Sequence, residues 1–430
     1  MVVSAQQSSV LTFEEARHVV EEHALQLRPR GRELLGLIDA AGRILAEPIH
    51  ADRDFPPFRR AARDGFAVWS ADVQDLPATL EVVGEIRAGA AHIPELGPGQ
   101  AVAIMTGAAA PDGSDAIVMV EYTSRTGDRV HVTKGISAGE NIVPAGSEAR
   151  RGDRLLEAGT RLRYAEIAVA ASVGRSRLLV HSKPRVAVLS TGDEVVDVDV
   201  PPGPSQIRNS NSYSLATQIQ AAGGDPILLP IAPDEPARLR EMLTEGLEAD
   251  LLLIAGGVSM GKYDLVEQAL AELEAEFFFT GALIQPGKPI VFGRVPFSRA
   301  GVPFGFAQGR SAPHTPARQK FFFGLPGNPI STMVTFELFA RPLIEALEGA
   351  IPRKLAFVHA KLKTAIKTKT GLKRFLPAII SGEFEQSDVE LVRWQGSGDI
   401  VAAARANCFV VVPPDRERIE AGEWVPVLLR

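Results

Sequence analysis

The apolar run Leu251–Ala255, followed at once by two glycines and then a helical pattern, is the feature that most constrains the fold of this chain. A short, unbroken apolar run is typical of a strand buried on both faces of a parallel sheet. Gly256, Gly257, Ser259 and Asp264 lie between this run and the helical pattern. Such a turn places backbone N–H groups and a helix N-terminus at the carboxyl edge of a sheet, where they favour an anion such as phosphate.

Asp264 has two interpretations. It directly precedes the helical pattern and Glu267 follows three residues later, so the pair fits a capping box. A carboxylate at the same place also fits a metal ligand or a substrate contact. The sequence leaves both open, because a helix cap lies where a bound ion would lie. The stretch as a whole is neither a P-loop nor a dinucleotide-binding fingerprint.

Strand and helix patterns alternate from Val186 to about Leu347. This βαβ order predicts a parallel three-layer αβα domain. Because the carboxyl ends of parallel strands meet at one edge, the loops that follow them are expected to gather where ligands usually bind. Asn328 followed by Pro329 also fits a plain helix start. The polar loops of this domain lie at residues 190–194, 206–211, 285–289 and 325–331.

Patterns on both sides of this domain predict three more domains. Residues from about Leu80 to Thr133 alternate short apolar strands with Gly, Pro and Asp turns, as in a small β-rich domain, whose bounds we place at 54–142. They interrupt a region with two predicted helices, Leu11–Leu27 and Tyr164–Ser172. The predicted fold is multidomain α/β, with a helical/linker domain, an inserted β-rich domain, the parallel αβα domain described above, and a small C-terminal β domain (1–53 with 143–183; 54–142; 184–349; 350–430).

Two segments lack a regular pattern. Residues 52–64 contain Pro56 and Pro57, which exclude a regular helix or a central strand, and we interpret the segment as an extended charged loop. Residues 295–319 are rich in Gly, Pro and Arg and interrupt an otherwise tight hairpin. We predict that they form a mobile insertion without a catalytic role. Thr106 follows an apolar run and fits a turn better than an oxyanion contact.

Composition excludes several classes of protein. The net charge of −6 is spread over mixed signs, so no nucleic-acid partner is expected. The single cysteine, Cys408, excludes intrachain disulfides and a cysteine-based zinc cluster, which fits a cytoplasmic location. No apolar run approaches the roughly 20 residues of a membrane span, and no signal peptide is expected.

The motifs of this chain, taken in order, resemble those of the molybdopterin molybdenumtransferases, a family that includes MoeA and the E domain of gephyrin. Each motif is weak by itself, but the ordered set is specific and covers nearly the whole chain. The motifs are D-F-P-P-F with R-D-G-F-A (54–67), M-T-G with P-D-G-S-D-A-I-V (105–118), S-T-G-D-E (190–194), Q-I-R-N-S-N (206–211), G-G-V-S-M-G-K-Y-D (256–264), P-G-K-P (286–289) and G-L-P-G-N-P-I-S (324–331).

The resemblance implies insertion of molybdate into adenylylated molybdopterin, with release of AMP and use of a divalent cation, usually Mg²⁺. It also implies an elongated homodimer whose active site lies between subunits. Such chemistry among anions requires N–H-lined loops for phosphates, carboxylates for Mg²⁺ and cations for molybdate. Molybdopterin adenylyltransferase and acceptor molybdoenzymes are further expected partners.

The resemblance also assigns roles to residues in the matching motifs. Glu194 and Asp264 match acidic positions suited to metal binding or hydrolysis. Asp64 and Thr106 match positions on the domain that reaches the partner's site, and with Lys288 these residues form the candidate catalytic set, in which none is assigned as nucleophile. The candidate cofactor-binding residues are Asn209, Asn211, Gly256, Gly257, Ser259, Gly287, Pro289, Gly327, Asn328 and Ser331.

Three positions depart from the family pattern. The family commonly has serine at Ala61 and arginine at Val143, and often aspartate at Asn209. Neighbouring arginines are candidates to supply the charge that is missing at Val143.

Two other functions compete with the transferase. A molybdopterin adenylyltransferase would resemble only the αβα domain, whereas the motifs here extend over the whole chain. A non-catalytic molybdopterin-binding or scaffold protein need not retain Glu194, Asp264 and Lys288 together, and this chain does. The choice between molybdate and tungstate stays open, because the two anions are nearly the same in size and charge.

Overall fold

The computed structural model describes residues 9–257, 265–297, 318–383 and 386–430. The chain forms two compact units. The first unit combines the N-terminal segment to Glu33, residues 42–46, and everything from Val180 onward. The second unit contains residues 34–41 and 47–179.

A six-stranded sheet forms the centre of the first unit. Its first four strands are parallel, as predicted, and Val291–Phe297 runs antiparallel to both of its neighbours. The predicted parallel sheet is therefore mixed at one side. The strand order is Asp225–Leu228, Arg185–Ser190, Leu251–Ala255, Arg318–Leu325, Val291–Phe297, Glu276–Phe279.

Helices cover both faces of this central sheet. The strand Leu251–Ala255 is buried throughout and alternates between two apolar clusters: Leu251 and Leu253 face one side, and Leu252 and Ile254 face the other. The period-two alternation of a strand thus produces the three layers. The helices are Phe13–Gln26, Asn211–Ala221, Pro329–Thr335 and Arg341–Glu348 on one face, with the π-helical turn Phe336–Ala340, and Pro236–Gly246 and Leu265–Glu272 on the other.

The first helix begins where the sequence predicts. Thr12 is its N-cap, and Glu15 completes the capping box by accepting the Thr12 backbone N–H at 2.9 Å. Its buried face joins a phenylalanine cluster, in which the rings of Phe292 and Phe323 stack with centroids 4.4 Å apart.

The C-terminal part of the first unit is a small closed sheet. Its strand Cys408–Val412 pairs with both Trp424–Leu429 and Lys373–Ser381, which closes the sheet on itself. Cys408 is buried there as a free thiol, and burial raises its pKa to about 11. The sheet order is Ile284–Gln285, Lys373–Ser381, Asp388–Leu391, Phe357–Leu362, Trp424–Leu429, Cys408–Val412, with the helix Ile400–Arg405 beside it.

The second unit is built on another six-stranded sheet, which includes the predicted β-rich strands. Gly65–Val68 is an interior strand of this sheet, whereas the sequence pattern indicated strands only from about Leu80 onward. Gly65 permits the close pairing, because a Cβ there would collide with the Val118 carbonyl oxygen. The order is Ala116–Met119, Gly65–Val68, Gln100–Ile104, Ala78–Ile86, Arg129–Val132, Thr123–Thr126.

Short elements complete both units. None of the helices in the described ranges is long and apolar enough to cross a membrane.

The 295–319 insertion begins inside a strand that continues to Phe297, and its residues 298–317 lie outside the described part of the chain. The remaining elements are Val10–Leu11, Arg32–Gly36, Ile49–His50, Arg60–Ala61, Ser70–Val73, Val120–Tyr122, Ile142–Val143, Arg154–Leu156, Tyr164–Ser172, Arg177–His181, Val195–Val196, Ile207–Arg208, Gly281–Ala282, Ile366–Lys367 and Arg418–Ile419.

Candidate active site

A cavity of about 330 Å³ opens at the carboxyl edge of the central sheet. The loops that follow three adjacent parallel strands form its walls, together with the start of the helix Asn211–Ala221. This is the edge at which the polar motifs were expected to gather. The predicted site residues that line it are Glu194, Asn209, Asn211, Gly256, Gly257, Gly327 and Asn328.

A buried hydrogen-bond network supports one wall of the cavity. The Ser190 hydroxyl donates to Asn209 Oδ1 at 3.1 Å, and the Ser212 backbone N–H donates to the same oxygen at 3.1 Å. Asn209 Nδ2 donates to Ser212 Oγ at 2.9 Å. All three residues are buried. Asn209 therefore fixes the loop before the helix, which assigns it a supporting role in addition to the predicted contact with the ligand.

The position of the Glu194 carboxylate depends on the glycine two residues before it. Gly192 has φ +125°, and a Cβ at that position would lie 2.5 Å from a carboxylate oxygen of Glu194. Real side chains do not tolerate such a distance, so the glycine gives the carboxylate its space. Glu194 is the one carboxylate among the described residues that line the cavity.

The glycine pair after Leu251–Ala255 adopts backbone conformations that favour glycine. Gly256 has φ +98° and Gly257 has φ +63°. The Thr191 hydroxyl lies against them, because a Cβ at Gly257 would be 2.7 Å from Thr191 Oγ1. Thr191 is 3 % exposed, and its hydroxyl has no hydrogen-bond partner among the described residues. We did not predict Thr191 as a site residue, although it lies inside the S-T-G-D-E motif.

Asn211 and Asn328 also line the cavity. Asn211 Nδ2 donates to the Gly327 carbonyl at 2.7 Å, whereas its buried Oδ1 has no partner in the described ranges. Asn328 is the N-cap of the helix that begins at Pro329, as predicted, but its side chain makes no capping hydrogen bond. Both amides thus keep hydrogen-bonding capacity that a ligand can use.

The remaining predicted residues of the large domain lie elsewhere. Gly287, Lys288, Pro289 and Ser331 do not line this cavity. Gly287 packs beside Thr335 in the helix region, and Ser331 is buried in the same segment. Ser259 and Asp264 lie outside the described residues.

A segment near the C-terminus also reaches the site. The Ile330 backbone N–H donates to the Ser397 carbonyl at 3.0 Å, and Gly398 lies close to Asn328 Oδ1. Sequence patterns gave no signal for this contact, because residues 395–399 follow the site loops by more than 60 positions. The C-terminal sheet thereby supports the loop that carries Asn328.

In the second unit, Asp64 and Thr106 form a local pair. The Thr106 backbone N–H and hydroxyl both donate to Asp64 Oδ1, at 2.6 and 2.8 Å. These bonds, the backbone bond first, lower the pKa of Asp64 below its usual range. Thr106 therefore orients a carboxylate, which is more than the simple turn that its local sequence favoured.

Comparison with known proteins relates this site to a family. Three family models match successive parts of the chain: "MoeA N-terminal region (domain I and II)" at residues 11–174, "Probable molybdopterin binding domain" at 187–346 and "MoeA C-terminal region (domain IV)" at 359–429. The chain is 36% identical to a molybdopterin molybdenumtransferase of Nostoc over 92% of its own length and 88% of the relative's. The chain belongs to the molybdopterin molybdenumtransferase family.

Other members of the family agree in length and fold. The molybdopterin molybdenumtransferase of Bacillus subtilis is 32% identical over 92% of this chain and 89% of that protein. A crystal structure of a molybdopterin biosynthesis MoeA protein from Pyrococcus horikoshii covers 98% of this chain and all of its own, with a TM-score of 0.75 and 27% identity. The multidomain α/β fold predicted from the motifs is therefore confirmed.

The departures from the family pattern have structural counterparts. Val143 pairs with Arg60 across a short antiparallel ladder, and Arg60 Nη2 donates to a carboxylate oxygen of Glu148 at 2.8 Å. An arginine thus stands beside the position where the family commonly has one. Ala61 is fully buried in the same ladder.

Proposed function

We propose that this chain is a molybdopterin molybdenumtransferase, which inserts molybdate into adenylylated molybdopterin and releases AMP. One observation supports this above others: four of the family's motif loops, at residues 190–194, 206–211, 256–257 and 324–331, meet at one cavity at the carboxyl edge of the central sheet. In the reaction an oxygen of water or of molybdate attacks phosphorus, the phosphoanhydride bond breaks and AMP leaves. The dithiolene sulfurs bind molybdenum in place of molybdate oxygens, which leave as water.

The residues of the cavity suit a substrate with several negative charges. The Gly256 backbone N–H donates to the Leu325 carbonyl at 3.1 Å, so in this turn the backbone N–H of Gly257 is the group proposed to hold a phosphate. Asn211 and Asn328 offer amide groups that orient the rest of the ligand. Lys288 and Ser331 stay proposed contacts for the pterin tail or the molybdate, together with Gly287 and Pro289.

Oxygen donors at the cavity fit the proposed Mg²⁺. The Glu194 carboxylate and the unpartnered Asn211 Oδ1 are hard oxygen ligands of the kind that Mg²⁺ prefers. Among the described residues, no group of three or more His, Cys, Asp or Glu side chains is placed to hold a metal ion. Glu194 with Asp264 would hold the ion, and the bound ion would supply positive charge beside the phosphates.

A homodimer with the active site between subunits is part of the proposal. Tyr164 is 90% exposed and Ile38 is 84% exposed, both in the second unit. The helix Tyr164–Ser172 is apolar in sequence, yet of its residues Ala170 alone is buried. Exposed apolar surface of this kind supports a contact with another subunit. Asp64, held by Thr106, would then approach the partner's cavity.

The cellular setting follows from the same proposal. We expect the protein to work in the cytoplasm, to receive its substrate from a molybdopterin adenylyltransferase, and to pass its product to acceptor molybdoenzymes. The matches at residues 11–174 and 359–429 speak against the adenylyltransferase itself, which would resemble the αβα domain alone.

AMP release from adenylylated molybdopterin tests the proposed function. The purified protein with Mg²⁺ is expected to release AMP in a molybdate-dependent manner, and tungstate competition then measures the preference between the two anions. Bound substrate without AMP release would favour the scaffold alternative. Release that ignores molybdate would contradict the transferase.

A further inference from the structure

We infer that Thr191 binds the substrate by donating its hydroxyl hydrogen to a phosphate oxygen held over the Gly256–Gly257 turn. This inference rests on the proposed function and adds a specific contact to it. Thr191 follows the strand Arg185–Ser190 directly and lines the cavity. Its backbone N–H donates to the Ala255 carbonyl at 3.1 Å, so the main chain holds the residue at the edge of the sheet.

The unpartnered hydroxyl is the first reason. The neighbouring Ser190 hydroxyl, equally buried, is bonded to Asn209 and Ser212. Thr191 Oγ1 has no partner among the described residues, although burying a hydroxyl without a hydrogen bond costs about 1–3 kcal/mol. A buried polar group without a partner requires an explanation, and a ligand contact supplies one.

The position of the hydroxyl is the second reason. A Cβ at Gly256 would lie 3.2 Å from Thr191 Oγ1, and one at Gly257 would lie 2.7 Å from it. The hydroxyl therefore faces the turn whose Gly257 N–H group is proposed to hold the phosphate. Threonine can donate one hydrogen to an anionic oxygen at this place, and a bond to a charged acceptor is stronger than a neutral one.

The variants Thr191→Val and Thr191→Ser separate this role from a structural one. Valine keeps the shape and removes the hydroxyl, while serine keeps the hydroxyl and removes the methyl group. Thr191→Val is expected to weaken binding of adenylylated molybdopterin about tenfold or more, because it loses a bond to a charged group. Its thermal unfolding midpoint is expected to rise by about 2 °C, because an unsatisfied buried hydroxyl is gone. Thr191→Ser should bind like the wild type.

Equilibrium binding of adenylylated molybdopterin and thermal unfolding, measured on all three full-length proteins, decide between the outcomes. Weaker binding with a higher midpoint in Thr191→Val supports the inference, since a purely structural residue would lose both together. If Thr191→Val bound the substrate as tightly as the wild type, the inference would be overturned and the proposed function would stand. Equal loss in Thr191→Ser would also overturn it. A wild type that binds no substrate would overturn the proposed function and the inference with it.

Discussion

The hydrogen bonds between Asp64 and Thr106 lead to a prediction for a single side chain. Asp64 accepts two hydrogen bonds from Thr106, and the lowered pKa of its carboxyl follows from them. In Thr106→Ala the backbone bond remains and the hydroxyl bond is lost. The pKa of Asp64 is therefore expected to rise part of the way toward its usual value. Carbon-detected NMR titration of the carboxyl group measures this, and an unchanged pKa would contradict the hydroxyl's contribution.

The Asp64–Thr106 pair also determines the direction in which stability changes with pH. The pKa of Asp64 is lower in the folded protein than the usual value of about 3.9 for an unfolded chain. The stabilisation by the ionised carboxylate is therefore present above that usual value and is lost as the pH falls through the lowered pKa. The difference in unfolding midpoint between wild type and Thr106→Ala is accordingly expected to shrink in acid.

A substitution at Gly192 tests whether activity depends on the position of the Glu194 carboxylate. Gly192→Ala puts a Cβ 2.5 Å from the Glu194 carboxylate and forces it to move. We expect AMP release to fall about 100-fold, the usual cost of losing one electrostatic contact in the transition state. Gly422→Ala is the matched control: its φ of +88° strains an alanine, but no atom lies within 4 Å of the new Cβ. Equal activity loss in both variants would attribute the effect to backbone strain.

At the scale of elements, the phenylalanine cluster couples the first helix to the central sheet. Phe292 is fully buried, stacks on Phe323, and contacts the His23 ring of the helix Phe13–Gln26 edge-on. Phe292→Ala is expected to destabilise the protein by about 3–5 kcal/mol through the cavity it leaves. Val358→Ala, at an exposed strand position, should change the free energy of unfolding by less than about 0.5 kcal/mol. Chemical denaturation followed by circular dichroism compares the two.

Individual strands show how much of the fold the sequence patterns could predict. The apolar run at Leu251–Ala255 predicted its strand because burial on both faces leaves a clear mark in sequence. Gly65–Val68 was missed as a strand, because the prolines before it dominated the local pattern. The antiparallel pairing of Val291–Phe297 with Arg318–Leu325 agrees with the hairpin expected there. Its antiparallel pairing with Glu276–Phe279 was missed, since strand direction is decided by connections and long-range pairing.

The residues of the candidate site were also predicted in part from the sequence. Glu194, Asn211 and Gly256 were predicted from motifs and lie together at one cavity, because loops after parallel strands share an edge. The roles of Thr191 and the Ser397 carbonyl depend on distances between segments that are far apart in sequence. Only the folded chain contains those distances, so local pattern could not indicate them.

For the whole molecule, the decisive claim is that each active site combines two subunits. If Asp64 acts in the partner's cavity, the variants Asp64→Ala and Glu194→Ala should each be nearly inactive as homodimers. A heterodimer of the two has one site with both substitutions and one site with neither.

Mixing the two variants is therefore expected to restore activity. After random exchange of subunits at equal amounts, half of the dimers are mixed and half of their sites are intact, so about one quarter of the wild-type AMP release should return. Unfolding and refolding the mixture together provides the exchange, and mixing without exchange is the control. If both residues served the same subunit's site, the heterodimer would contain no intact site, and the mixture would stay inactive.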